Sequence, residues 1–271
     1  MTFSSAAFTD AACEAAARDP ETLVVSALGA VGVGKSSLLN AIAGERLFDV
    51  GDTYATTQEI QGEVRPWKYA PTTKYAHLID TPGLCDSLAH DRQNVQEMVR
   101  YFKTLAYGVS SFLLVFDIKD IRLDAYTQDM LSLFQQLLGK DFWNFVVIVF
   151  THVDEDCRDE LDDAIEAVLD PEDGFVTEIA RLYKLSTKTF VPTVIFATTQ
   201  NVRMSNYAQR QVRDIYNAVV RCETRNDHRR FNCTWLRQIM AYQNEDEKTD
   251  FIKQSIIGAW STVASSVCHL Q

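Results

Sequence analysis

The run Gly29-Ala30-Val31-Gly32-Val33-Gly34-Lys35-Ser36 sets three glycines, a lysine and a serine within eight residues. Glycines let successive backbone N–H groups turn inward onto phosphate oxygens, and a helix beginning at Lys35 adds the partial positive charge of its N-terminus. The Lys35 ammonium would reach the β- and γ-phosphates of a nucleoside triphosphate. The Ser36 hydroxyl, with Ser37 behind it, would bind Mg²⁺. An apolar strand over 22–28 and a helix over 35–43 flank the run, and an accidental Gly-rich turn would need neither.

Further candidate groups follow other apolar runs. Asp80-Thr81-Pro82-Gly83 closes the run at 74–79. There Asp80 can hold the Mg²⁺ shell through water, and the Gly83 N–H can sense a γ-phosphate. Thr151-His152-Val153-Asp154 follows 145–150. The Asp154 carboxylate can accept both N1–H and N2–H of guanine, a donor pair adenine lacks; the alternative is an Asp that caps the next helix. His152 would wall the base pocket, and Ala197 and Thr198, within 196–201, would complete it. Between the loop and the second motif, Thr56 or Thr57 is expected to close over γ-phosphate and Mg²⁺, with Thr57 favoured for its place beside a strand start.

These groups need a scaffold, and the spacing predicts one. Apolar, β-branched runs at 22–28, 74–79, 111–116, 145–150 and 192–196 alternate with helical patterns at 35–43, 94–105, 124–138, 158–169 and 206–220. Such alternation implies an α/β fold, a mostly parallel sheet covered by helices on both faces. Ligands in such sheets bind beyond the carboxyl ends of the strands, where each motif falls. The predicted organisation is an N-terminal helical leader at 1–20, a nucleotide domain at 21–222 and a C-terminal helical extension at 223–271. Within that extension, helices are expected at 231–242 and 249–269.

Bulk properties narrow the function. The chain has 271 residues, 46% hydrophobic and 23% charged, with a formal net charge of −11. That balance supplies no basic face to neutralise nucleic-acid phosphates. Six cysteines lie scattered without CxxC or CxxH spacing, which predicts reduced thiols in a cytoplasmic protein rather than disulfides or a zinc site. The N-terminal residues lack the pattern of a secretory signal, and no run is apolar enough to span a bilayer.

With these motifs in view, the sequence resembles the immune-associated nucleotide-binding GTPases, the GIMAP and plant IAN family related to septins and Toc receptors. GAVGVGKS at 29–36, DTPGLCD at 80–86, FTHVDE at 150–155 and the stretch 109–140 carry the likeness over roughly residues 20–220. The resemblance implies a three-layer P-loop GTPase fold that places 58–69 as an antiparallel edge strand. It also implies GTP and GDP as ligands with Mg²⁺, and dimers or higher oligomers that meet across their nucleotide faces. Arg122 falls where the family keeps an arginine supplied in trans, although here Leu-Asp-Ala separates it from Tyr126-Thr127. Arg122 is therefore a catalytic candidate beside Lys35 and Thr57; the alternative is a solvated surface arginine. Leu84 follows Gly83 where Ras-like enzymes place a water-orienting glutamine. Slow hydrolysis by the single chain is expected, with a GTP-loaded scaffold or a P-loop small-molecule kinase as alternative readings.

Near the C-terminus Ile252, Ile256, Trp260, Val263, Val267 and Leu270 form one apolar helical face. It would dock on the nucleotide domain, or meet a partner or membrane surface. Cys268-His269-Leu270-Gln271 matches a farnesylation pattern, which offers a route to peripheral membrane association.

Overall fold

The computed structural model describes residues 15, 18–50, 60–81, 92–156, 161–186, 190 and 192–267. Strands β1 (Leu23–Leu28), β2 (Gln61–Pro66), β3 (Tyr75–Asp80), β4 (Ser111–Asp117), β5 (Val146–Thr151) and β6 (Thr193–Phe196) form one sheet in the order β2-β3-β1-β4-β5-β6. Five strands run parallel, and β2 pairs antiparallel with β3 at the edge. Strands β1 and β5 are buried along their whole length. A parallel strand covered on both faces needs that continuous apolar run rather than alternation.

Helices α1 (Lys35–Ala43), α2 (Arg92–Leu105), α3 (Ala125–Leu138), α4 (Asp162–Leu169), α5 (Phe175–Leu182) and α6 (Asn206–Arg225) accompany the sheet. A 3₁₀ turn at Lys140–Phe145 leads into β5. Sequence spacing foretold α1 to the residue but not α5, and it ended α6 at Val220, five residues short. Gly44, left-handed at φ 73°, stops α1: its N–H reaches the Asn40 and Ala41 carbonyls, a termination available to a residue without a Cβ penalty. Asp124 caps α3 by accepting the Thr127 N–H at 2.7 Å, which fixes the start of that helix beside the end of β4.

Two more helices, α7 (Thr234–Ala241) and α8 (Glu245–Val267), follow. Helix α8 packs across α2, α3 and α7, burying Ile252, Ile256, Ala259, Trp260 and Val263. Trp235 of α7 meets Phe102 of α2 edge-on at 4.7 Å. Next to Phe102, Lys103 bonds Glu245 at 2.8 Å and Thr249 at 2.9 Å. The apolar face anticipated at the C-terminus is thus occupied, as far as Val263, by the domain itself. None of the described helices is long and apolar enough to cross a membrane. Cys268 and Leu270 lie outside the described residues.

Candidate nucleotide site

The phosphate loop leaves β1 at Leu28 and passes so close to β4 that Gly29 is sterically required. A Cβ there would sit 2.3 Å from the Val115 carbonyl oxygen, closer than any side-chain carbon can approach backbone. Gly32 and Gly34 are left-handed, at φ 82° and 88°, where glycine carries no Cβ penalty. Gly34 hands the chain directly to α1, so the loop's N–H groups and the helix N-terminus face the same space.

Three side chains anchor this cradle. Lys35 is buried at the head of α1, and its Nζ donates to the Ala30 carbonyl across the loop at 2.7 Å. Ser36 Oγ donates to Asp80 Oδ2 at 2.6 Å, uniting residues 44 positions apart because β1 and β3 are parallel neighbours. Ser37 follows on α1, half-buried. Thr81 Oγ1 donates to the Ala27 carbonyl at 2.7 Å, holding the end of β3 against β1. A hydroxyl and a fully buried carboxylate in contact are the hard oxygen donors that suit Mg²⁺, so the residues fit that ion. Among the described residues no group of three His, Cys, Asp or Glu side chains gathers as a metal cluster; a Mg²⁺ here would need further ligands from phosphate, water or the connection between α1 and β2.

The residues expected to meet the base lie just past the ends of β5 and β6. Thr151 Oγ1 donates to the Val33 carbonyl at 2.6 Å, tying this region to the phosphate loop. His152 is left-handed, φ 60°, and its Nδ1 lies 2.9 Å from Asp117 Oδ2 at the end of β4. The Val153 N–H donates to the Ala197 carbonyl at 3.3 Å, and the Ala197 N–H to that of Phe150 at 2.8 Å. These bonds align the two loops so that the Thr198 hydroxyl donates to Asp154 Oδ1. The Gln200 side-chain amide donates to Asp154 Oδ2 at 3.3 Å. Behind them, Gln211 on α6 accepts the Thr198 N–H at 2.8 Å in a buried contact. Asp154 therefore takes side-chain partners from the loop after β6.

Sequence reasoning placed Gln200 only within the segment 196–201 and missed Asp117 and Gln211 as parts of this network. Asp117 ends an apolar strand, as Asp80 does, and that position was a readable signal. Gln211 carried none, because its partner is set by how α6 lies on β6.

Arg122 sits in the short connection from β4 to α3, on the same end of the sheet. Its side chain is 82% exposed, with Nε on Asp120 Oδ1 at 2.7 Å, and that bond holds the guanidinium above its ordinary pKa. Val31 is the exposed tip of the phosphate loop. Thr56, Thr57, Gly83 and Leu84 lie outside the described residues.

Comparisons with known proteins agree with this architecture. Immune-associated nucleotide-binding protein 13 of Arabidopsis thaliana is 29% identical over 240 residues, 88% of this chain and 65% of that protein. The chain thus spans just under two thirds of that relative's length. Among solved structures, Arabidopsis Toc33 in complex with Mg²⁺ and GMPPNP superposes with a TM-score of 0.55 at 19% identity, covering 74% of this chain and 85% of that one. A dimerization-deficient arginine-to-alanine mutant of Toc33 gives 0.58 at 19% identity, covering 78% and 86%. Those likenesses establish the P-loop GTPase fold. The family model for AIG1 matches residues 21–250, and with most of its length inside that match the chain belongs to the AIG1 family.

Proposed function

We propose that this protein binds guanine nucleotides with Mg²⁺ and hydrolyses GTP, slowly as a single chain and faster when two chains meet across their nucleotide faces. The observation that carries the reading is the convergence at one end of the sheet. A glycine-lined phosphate loop, the Ser36–Asp80 pair and an Asp154 carboxylate oriented by Thr198 all open there.

Each residue has a defined task. Lys35 exchanges the Ala30 carbonyl for β- and γ-phosphate oxygens, while the loop N–H groups hold the phosphates in place. Ser36 and Asp80 would hold Mg²⁺, joined by Thr57 or Thr56 from the connection before β2. When bound, the metal neutralises charge on the phosphate oxygens. Asp154 accepts N1–H and N2–H of guanine, with His152 and Ala197 bordering the base. Leu84 can neither donate nor accept a hydrogen bond, so no side chain at that position orients the attacking water.

Charge developing on the transferring phosphoryl group needs a further cation, and Arg122 of a second chain is suited to supply it. Its exposure and its place beside the strand ends leave it free to reach outward after giving up Asp120. The dimerization defect described for an arginine mutant of Toc33 supports this reading by analogy.

Leu84 also favours a second reading, a GTP-loaded scaffold that assembles with negligible turnover. One experiment separates them: GTPase rate per chain measured across protein concentration, for wild type and Arg122→Ala. A rate that climbs with concentration in wild type and stays flat in the variant supports the trans arginine. Equal rates at all concentrations remove it, and no turnover at any concentration leaves the scaffold. Calorimetry with GDP and Mg²⁺ that detects no binding to folded protein overturns both.

A further inference from the structure

The Asp154 carboxylate engages two donors from the loop after β6, and the two are of different kinds. Thr198 is fixed: it is buried, its N–H is held by Gln211 at 2.8 Å, and its hydroxyl donates to Oδ1. Gln200 is half-fixed. Its backbone N–H donates to the Thr198 hydroxyl oxygen at 3.1 Å, which pins its Cα beside the carboxylate. Its side chain is exposed and delivers an amide N–H to Oδ2 at 3.3 Å. The loop therefore carries, on a flexible arm, a neutral N–H donor aimed at an oxygen that a guanine would address.

Guanine presents N1–H and an exocyclic N2–H to a carboxylate, whereas hypoxanthine presents N1–H alone. In a site without a substitute donor, hypoxanthine leaves one carboxylate oxygen without its partner. The purine that lacks the group is then rejected about ten- to hundredfold, because the site's own acceptor goes unpaired. Here the Gln200 amide can remain on Oδ2 when the ligand has no N2–H, and swing into solvent when it has one.

We propose that Gln200 is a specificity-determining residue: it stands in for the purine 2-amino group, so that the site accepts hypoxanthine nucleotides nearly as well as guanine nucleotides. The inference rests on the reading of Asp154 as the base-recognising carboxylate. It extends that reading from guanine nucleotides to 6-oxopurine nucleotides with or without a 2-amino group.

The test is the ratio of dissociation constants for IDP and GDP, both with Mg²⁺, measured by calorimetry on the full chain. In wild type the ratio is expected to be below about fivefold, and in Gln200→Ala to rise by about tenfold. Gln200→Lys restores an N–H donor on a flexible arm and should bring the ratio back down, a rescue that a merely structural role would not produce. Gln200 is on the surface, so folding is not at stake. A wild-type ratio already large and unchanged in Gln200→Ala overturns the proposal. Asp154→Asn tests the underlying reading separately: its amide matches xanthine, so XDP should gain on GDP. If that exchange of preference fails, the base-recognition reading falls and takes this proposal with it.

Discussion

Thr151 Oγ1 donates to the Val33 carbonyl at 2.6 Å and also lies 3.1 Å from that of Phe116, so the residue that opens the base motif also fastens the phosphate loop. The two ends of a nucleotide would thus be read by loops that share a hydroxyl.

Removing that hydroxyl while keeping the shape should loosen both. Thr151→Val leaves the Val33 carbonyl without its donor, which costs about 1–3 kcal/mol where the group stays buried. The expected result is GDP affinity lowered by about tenfold or more, with Thr151→Ser close to wild type. Unchanged GDP affinity in the valine variant, measured by calorimetry, would show that the loops are held independently.

Gly29 and Gly32 should respond differently to the same substitution. A Cβ on Gly29 meets the Val115 carbonyl oxygen at 2.3 Å and Val33 Cγ2 at 3.1 Å, whereas nothing lies within 4 Å of one on Gly32. Gly29→Ala must displace β4 backbone, at a cost of about 1–3 kcal/mol or more. Gly32→Ala meets only the left-handed backbone penalty of about 1 kcal/mol. Urea unfolding should rank Gly29→Ala as the less stable; the reverse order would mean the loop leaves β4 readily.

His77 makes stability depend on acid. It is buried on β3, both ring nitrogens lack a hydrogen-bond partner among the described residues, and Gly62 of β2 packs against Nε2. Burial, aided by the charge of Arg230, pushes the folded-state pKa down from 6.5 to about 4. Between those values the unfolded chain binds more protons than the folded one. Stability from this group is therefore complete above about pH 6.5 and is lost as the pH falls toward 4, by about 2 kcal/mol at pH 5. His77→Leu should flatten the pH dependence of the unfolding free energy across that window. An equal slope in wild type and variant would place the acid sensitivity elsewhere.

Helix α8 should behave as part of the core. Ile256 is fully buried, and Ile256→Ala should cost about 2–5 kcal/mol in the unfolding free energy. The loss would appear in the single transition that also unfolds the sheet. A separate early transition for α8, followed by hydrogen exchange, would instead mark the helix as a detachable element, free to meet a partner or a membrane surface.

Much of the scaffold was legible in the residues because its signals are local. A parallel strand buried on both faces must read as a continuous apolar run, as 145–150 does. The start of α1 follows from Gly34 and Lys35, and a strand near 61–66 was anticipated within a few residues, its antiparallel place at the edge following from the family resemblance. Helix α5 spans only eight residues, and although Phe175, Val176, Ile179 and Leu182 keep helical spacing, so short a run carries a weak periodic signal.

What the amino-acid order decided alone was the chemistry on offer: glycines able to turn amides inward, one lysine, a serine, an aspartate that closes an apolar strand and another three residues past one. Those depend on residue type and short spacing, which a linear string displays. The tertiary structure decided who meets whom. Ser36 on Asp80, Thr151 on Val33, Gln211 on Thr198 and the burial of α8 are contacts across many residues, created when sheet order and helix packing bring distant segments together. No periodicity encodes them, because hydrogen bonds and close packing act over a few ångströms in space regardless of separation along the chain.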